Sequence, residues 1–487
     1  MRGKQKSIKL NFIMNALLTM SSILFPLITY PYVSRVLLPE GMGKVSFAIS
    51  FVTYFSMFAQ LGIPTYGIRA CAKVRDDKEK LSKTVHELFI INMVISVFVY
   101  LVFFATIYLV PKLRAEKGLY FITSLIIIFN TIGVEWLYKG LEEYTYITLR
   151  SLIFKIITVI AMFLLVHEQK DYVAYGFISI IAASGSGVIN FINARKYINI
   201  KKNVKYHFRE HFKPIAIFFA MSCATTIYTN LDTIMLGFIS TDADVGYYNA
   251  AVKVKTILVS VVTSLGAVLL PRCSYYYQQG NLDEFKRISK KALHFVMLIS
   301  IPLMIYFMVF AEKVIFFLSG KSYLNAILPM QIIMPTLLFI GMTNILGIQM
   351  LVPMGKEKVV LISEVAGAVT NFVLNVILIP RYAAVGAAIG TLVAEFIVLI
   401  IQYYVIRKEF TDITKSFSYL KVFGGILIGI VCVMWITSLE WSEFLTLVVS
   451  AIIFFGTYFG VLVLAREKIV VEIWGQMLLL ISSKKKK

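Results

Sequence analysis

Acidic residues are scarce in this sequence. Its 487 residues include 27 Asp and Glu against 48 Lys and Arg, a net charge of +21, and only 15% are charged at all. Cys71, Cys223, Cys273 and Cys432 follow no metal-ligand or redox spacing, so no metal centre or thiol chemistry is expected. The five histidines, His86, His167, His207, His211 and His294, fall mostly at the ends of apolar runs or in a basic linker. Paired carboxylates, a nucleophile elbow, a P-loop and a dinucleotide fingerprint are missing, which removes the common enzyme constellations. No polar stretch is long enough for a soluble domain. The first apolar run continues past Pro26 and Pro31 without a small-residue cleavage pattern, so a cleavable signal peptide is not expected.

Apolar residues are abundant, at 59% of the chain with a mean hydropathy of +0.79. Soluble domains do not have this composition. Successive apolar runs of about 20 residues predict an all-α polytopic membrane protein. About fourteen spans are expected, at 11–36, 44–64, 86–110, 118–138, 144–166, 172–194, 214–238, 246–270, 291–317, 326–351, 359–380, 385–406, 418–438 and 443–465. The basic residues sit between spans. Arg2, Lys4, Lys6 and Lys9 precede the first, the loops at 69–83, 195–213 and 272–291 are rich in Lys and Arg, and the chain ends in Lys484–Lys487. All fall on one side if the spans alternate, while the opposite loops are short and poor in cations. The positive-inside bias makes that side, and both termini, cytoplasmic. The net charge thus sets topology and does not point to nucleic acid.

Two stretches are alike. Gly43 and Gly246 each open a helix after a short loop and lie 203 residues apart. At that shift Asn249, Lys253, Thr256 and Thr263 map to Ser46, Ser50, Thr53 and Gln60, each set on one helix face. Six spans precede the linker and six follow it, so the copies are expected to be parallel repeats about an axis along the membrane normal. This divides the chain into an N-lobe at 1–194, a cytoplasmic linker at 195–213, a C-lobe at 214–408, and two added spans with a basic tail at 409–487.

Polar residues inside the spans mark the candidate site, because charge in the hydrocarbon needs water, a partner or a ligand. Ser222, Thr225, Thr229 and Asp232 share one face of span seven. Asn249, Lys253, Thr256, Ser260 and Thr263 share one face of span eight. Lys155 lies mid-span with Thr148, Ser151 and Thr158. Glu395 lies mid-span with Thr391 and Gln402, and Glu364, Asn371 and Asn375 line span eleven. Arg35 and Lys44 flank the first outer loop, and Arg150 starts span five. Read as function, the cations receive an anionic headgroup, for which a pyrophosphate is suited by charge-assisted bonds. Read as structure, Arg35, Lys44 and Arg150 snorkel to the interface, and Lys155 and Lys253 pair with Glu395, Glu364 or Asp232. Asp232, Glu395 and Glu364 are candidates for coupling or gating by protonation. No cofactor is expected.

The segment Asn371-Phe372-Val373-Leu374-Asn375-Val376-Ile377-Leu378-Ile379-Pro380, with Val385-Gly386-Ala387-Ala388-Ile389-Gly390-Thr391, resembles a signature of the multidrug/oligosaccharidyl-lipid/polysaccharide flippase superfamily. Tyr32-Val33-Ser34-Arg35-Val36-Leu37 with Gly43 is similar to the first-loop pattern of its polysaccharide transporter branch. So is Asp232-Thr233-Ile234-Met235-Leu236-Gly237 with Val245-Gly246-Tyr247-Tyr248-Asn249-Ala250-Ala251. The resemblance implies a V-shaped transporter of two six-helix lobes. It implies transfer of undecaprenyl-pyrophosphate-linked oligosaccharide across a bacterial cytoplasmic (inner) membrane, for O-antigen, capsule or exopolysaccharide synthesis. Cationic cavity residues then meet the pyrophosphate and sugar, which suits Lys155, Lys253, Arg35, Lys44, Arg150 and Asn249. Ion coupling, by proton or sodium, is common in the superfamily. The acidic residue that multidrug members carry on the first helix is missing here, where Asn15 and Thr19 stand. Membrane lipids and a polysaccharide polymerase with its chain-length machinery are the expected partners. The rivals are a multidrug or organic-cation antiporter, opposed by the deep lysines, and a membrane glycan polymerase or ligase, opposed by the short outer loops.

Overall fold

The computed structural model describes residues 8–199, 205–407 and 417–472. Arg2, Lys4, Lys6, Lys201, Lys202 and Lys484–Lys487, counted above in the basic segments, lie outside the described residues, as do 408–416. Every regular element among the described residues is a helix. Eight are long and apolar enough to cross a bilayer, or ten if two bent pairs each count as one span, so the chain is a multi-pass membrane protein. Packing divides it into two compact units, Met1–Gly246 and Tyr247–Lys487.

In the first unit α1 (Ile8–Gln60) holds the first two expected spans and breaks its helical geometry at Leu38, with φ 59° and ψ 176°. After α2 (Ile63–Lys73), α3 (Lys78–Leu109) begins on Asp77, whose carboxylate accepts the backbone N–H groups of Glu79 and Lys80 at 3.0 and 3.1 Å. The Lys80 N–H and ammonium hold the Asp77 carboxyl below its usual range. The expected span at 118–138 is instead a chain of short helices. After α4 (Pro111–Ala115) come α5 (Lys117–Thr123) and α6 (Leu125–Gly133), which run on through a helical Ser124, and α7 (Glu135–Gly140) after a break at Val134, where φ is 37°. α8 (Tyr144–Leu165) follows. Then α9 (Tyr172–Ile180) leads through a π-helical turn into α10 (Gly187–Ala194). α11 (Arg209–Ile239), expected to open the C-lobe, packs on α1 and α2 in this unit.

Hydrogen bonds fix the register of α1 on α8. Thr148 donates to the Met14 carbonyl at 2.9 Å and Tyr32 to the Val166 carbonyl at 2.7 Å, both pairs 134 residues apart. A constant offset means that the two helices run parallel, as expected for spans one and five. Elsewhere Asn92 of α3 donates to the Ala59 carbonyl at 2.6 Å, and Ser96 meets Thr131 of α6 at 2.8 Å. Buried polar groups thus find partners across helices.

The turn into α12 (Asp242–Gln278) is capped reciprocally. Thr241 Oγ1 accepts the Asp244 N–H at 3.2 Å, and Asp244 Oδ2 accepts the Thr241 N–H at 3.3 Å. Here two glycines are required by close approach. A Cβ on Gly43 would stand 1.6 Å from the Asp242 carbonyl oxygen, and one on Gly246 2.1 Å from the Pro39 carbonyl oxygen. Pro39 and Asp242 are themselves 203 residues apart, so the contact exchanges the two copies of the proposed repeat.

In the second unit α13 (Leu282–Val309) and α14 (Ala311–Ser319) precede α15 (Ile327–Ile333) and α16 (Thr336–Thr343). The segment bends by 43° where Pro335 removes a backbone donor, and continues as a π-helical stretch, Asn344–Leu351. α17 (Glu357–Ile406) contains the expected spans at 359–380 and 385–406 and breaks at Ala383, with φ 46° and ψ −123°. Gln402 donates to Ser363 at 3.0 Å, Gly390 abuts Asn375, and Gly386 abuts the Leu378 backbone. Contacts that run in reverse order identify two antiparallel helices joined at Ala383. α18 (Tyr419–Met434) and α19 (Glu443–Leu464) follow. Tyr458 of α19 donates to the Leu298 carbonyl of α13 at 2.9 Å.

Candidate functional site

Lys155 is half-buried on α8, and its ammonium faces α1. It donates to Ser21 Oγ at 2.7 Å and Ser22 Oγ at 2.9 Å, and stands 5.9 Å from the centre of the Phe25 ring. Its partners are hydroxyls, and no carboxylate lies within ion-pair distance among the described residues. Two hydroxyls of its stripe are bonded too, Thr148 to α1 and Thr158 to the Lys155 carbonyl at 2.9 Å.

Arg150, on the same helix, is differently placed. It is buried, 3.6 Å from Glu135 Oε2, donates to Asn190 Oδ1, and lies 5.7 Å from the Tyr146 ring. Tyr146 stacks on Tyr138, which meets Tyr197 edge-on. Burial pushes the Tyr197 phenol up to about 12, so this ring stays neutral. Glu135 and Asn190 carried no signal in the sequence reading. They reach Arg150 from α7 and α10, and only the tertiary fold joins them.

Arg35 is exposed and donates to the Pro31 carbonyl at 2.6 Å. Lys44 bridges Glu40 at 3.2 Å and Glu116 at 3.0 Å, with the Tyr172 ring at 5.1 Å. Tyr172 in turn donates to Glu116 at 2.6 Å. Lys112 donates to the Gly237 carbonyl and lies 3.8 Å from Asp242. Glu40, Lys44, Lys112, Glu116 and Asp242 line a cavity of about 190 Å³, with Phe47 and Tyr120 as its apolar wall. That volume holds several waters among charged groups. Glu40 and Lys44 form an i,i+4 pair on a helical stretch that the sequence reading places in the first outer loop; Glu116 and Lys112 come from outside that helix.

Five hydroxyls on the polar stripes of α11 and α12 are satisfied within their own helices. Thr225 and Thr229 donate to the Met221 and Thr225 carbonyls at 3.1 and 2.9 Å. Thr256, Ser260 and Thr263 donate four residues back at 2.8, 2.9 and 2.8 Å. Bonding of this kind lowers the cost of a hydroxyl in a membrane helix. Asp232 on α11, and Asn249 and Lys253 on α12, are each half-buried. On α17 Glu395 is buried, beside Thr391, whose hydroxyl meets Tyr248 at 2.9 Å. Asn371 and Asn375 are buried and bonded to each other at 3.2 Å, whereas Glu364 on the same helix is exposed. Lys155, Arg150, Arg35, Lys44 and Asp232 thus belong to the first unit, and Asn249, Lys253, Glu364 and Glu395 to the second.

The family described as "Polysaccharide biosynthesis protein" matches residues 8–276, more than half of the sequence. The chain belongs to that family. A second family, MatE, matches residues 217–377. The chain is 25% identical over 412 residues to the "Putative O-antigen transporter" of Escherichia coli (strain K12), covering 84% of this chain and 99% of that protein. It is 23% identical over 412 residues to the "Capsular polysaccharide biosynthesis protein CapF" of Staphylococcus aureus, covering 83% of this chain and 100% of that protein. Among solved structures it shares its fold with "Lipid II flippase MurJ, inward closed conformation", at a TM-score of 0.72 and 17% identity, covering 94% of this chain and 99% of that one.

Proposed function

We propose that this protein is a flippase. Its cargo is an undecaprenyl-pyrophosphate-linked oligosaccharide repeat unit, carried across the bacterial cytoplasmic membrane for O-antigen, capsule or exopolysaccharide synthesis. Family membership over residues 8–276, in a chain similar along its length to a named O-antigen transporter, carries this reading. The setting of Lys155 supports it. An ammonium held by two hydroxyls, with no carboxylate beside it among the described residues, keeps its charge for an anion. The same charge opposes a cationic drug as cargo. In this reading Lys155 and Lys253 meet the diphosphate headgroup, while Arg35, Lys44, Arg150 and Asn249 are further contacts along the path. Asp232, Glu395 and Glu364 serve coupling or gating with a proton or sodium ion. Two six-helix lobes, 1–194 and 214–408, with two added spans and cytoplasmic termini, would open the path to each leaflet in turn. A polymerase and chain-length machinery act on the delivered repeat unit.

Analysis of lipid-linked glycan in a deletion strain tests the cargo. Displayed glycan should fall, and pyrophosphate-linked repeat units should accumulate in the membrane, where mass spectrometry identifies them. Normal display with no accumulated lipid overturns the reading. At matched protein levels Lys155→Ala and Lys253→Ala should each lose most display, and Lys→Arg should retain part of it. Normal display in both alanine variants would place the headgroup elsewhere.

A further inference from the structure

Lys155 has three N–H donors. Two are spent on Ser21 and Ser22, at 2.7 and 2.9 Å, and Phe25 lies 5.9 Å away on the next turn of α1. The serine hydrogens are committed as well. Ser21 donates to the Leu18 carbonyl at 2.7 Å, and Ser22 to the same carbonyl at 3.0 Å. Both hydroxyls therefore turn lone pairs to the ammonium and act there as acceptors only. They can fix its position without neutralising it, which a carboxylate in the same place would do. Ser21 is buried and Ser22 exposed, so the ammonium is gripped between the seam and the open face of α1. The Thr148–Met14 and Tyr32–Val166 bonds hold the register on either side of it.

We propose that Ser21 and Ser22 are positioning residues for substrate recognition. They orient the Lys155 ammonium so that its third N–H, with the full positive charge, is presented to a diphosphate oxygen. This rests on the reading of Lys155 as a headgroup contact. Three consequences follow from the geometry. Loss of both serine oxygens frees a side chain with four rotatable bonds that must be ordered again at each binding event. The loss falls on the charged part of the ligand, not on its lipid tail. It vanishes when the lysine is absent, because the serines act only through it.

The test uses the full chain in lipid nanodiscs, with farnesyl pyrophosphate as the probe and farnesol as the uncharged control, read by native mass spectrometry. Ser21→Ala/Ser22→Ala should weaken farnesyl pyrophosphate binding by about tenfold and leave farnesol unchanged. Ser21→Cys/Ser22→Cys, close in size but a weak acceptor, should do the same, and Ser22→Thr should restore binding in a Ser21 background. In Lys155→Ala the serine substitutions should add no further loss. If Lys155→Ala weakens binding and neither serine pair does, the positioning role is overturned and the headgroup reading stands. An equal loss from the serine pair with and without Lys155 also overturns it. If Lys155→Ala leaves farnesyl pyrophosphate binding unchanged, the headgroup reading fails and the inference falls with it.

Discussion

Arg150 and Lys155 stand five positions apart on α8 and have opposite electrostatic settings. The guanidinium is buried, with Glu135 at 3.6 Å and the Asn190 amide oxygen as acceptor. The ammonium has only hydroxyls. Removing Arg150 leaves Asn190 Oδ1 without its donor, while Glu135 keeps Lys139 at 2.8 Å, so Arg150→Ala should cost ~1 kcal/mol of stability. Thermal unfolding in nanodiscs would detect this as a lowered midpoint. Arg150→Met/Asn190→Leu should recover part of the loss by removing the amide left without a donor. A midpoint equal to wild type in Arg150→Ala would show that the pair adds nothing. Leu38 is the contrasting case of backbone strain. Its φ of 59° and ψ of 176° belong to a region that essentially only glycine occupies, and Pro39 follows it.

At the level of elements, the hairpin of α17 combines a strained joint with a tight seam. Ala383, at φ 46° and ψ −123°, takes the first central position of a II′-type turn, where glycine is preferred. Ala383→Gly should therefore stabilise the protein by ~1 kcal/mol, seen as a raised thermal midpoint. Gly386 meets the Leu378 backbone with no room for a side chain, so Gly386→Val should part the two helices and lower that midpoint. If Ala383→Gly lowers the midpoint and Gly386→Val does not, the two helices do not meet at this joint. The α1–α8 pair shows a different economy. Its bonds at one fixed offset let a single register serve Thr148, Lys155 and Tyr32 together.

For the molecule as a whole, the apolar runs were a good guide to where helices lie and a poor guide to their continuity. The joints at Leu38 and Ala383 fall in the short gaps expected between spans, yet helical geometry resumes at once on either side. The run at 118–138 breaks at Val134, a residue whose chemistry does not announce a stop. Lys155 stood out because depth and stripe are local properties. Its serines, 133 and 134 residues away, and Glu135 beside Arg150 are tertiary neighbours that no periodicity encodes. Orientation remains testable by cysteine labelling of intact cells. Thr241→Cys, exposed in the turn before α12, should react with an impermeant maleimide, and Lys202→Cys should not. Reaction at position 202 from outside would invert the topology.

The meeting of Gly43 with Asp242 and of Gly246 with Pro39 has an implication for ancestry. Each glycine touches the copy of the loop that precedes the other. A surface with that property is complementary to itself, as in a two-fold symmetric dimer. One ancestral half would have needed only a single glycine and a single loop to bind its twin. Were the two stretches copies of one ancestor, gene fusion would have joined partners that already fitted, with Ser50 and Lys253 marking a position where the two sides now differ.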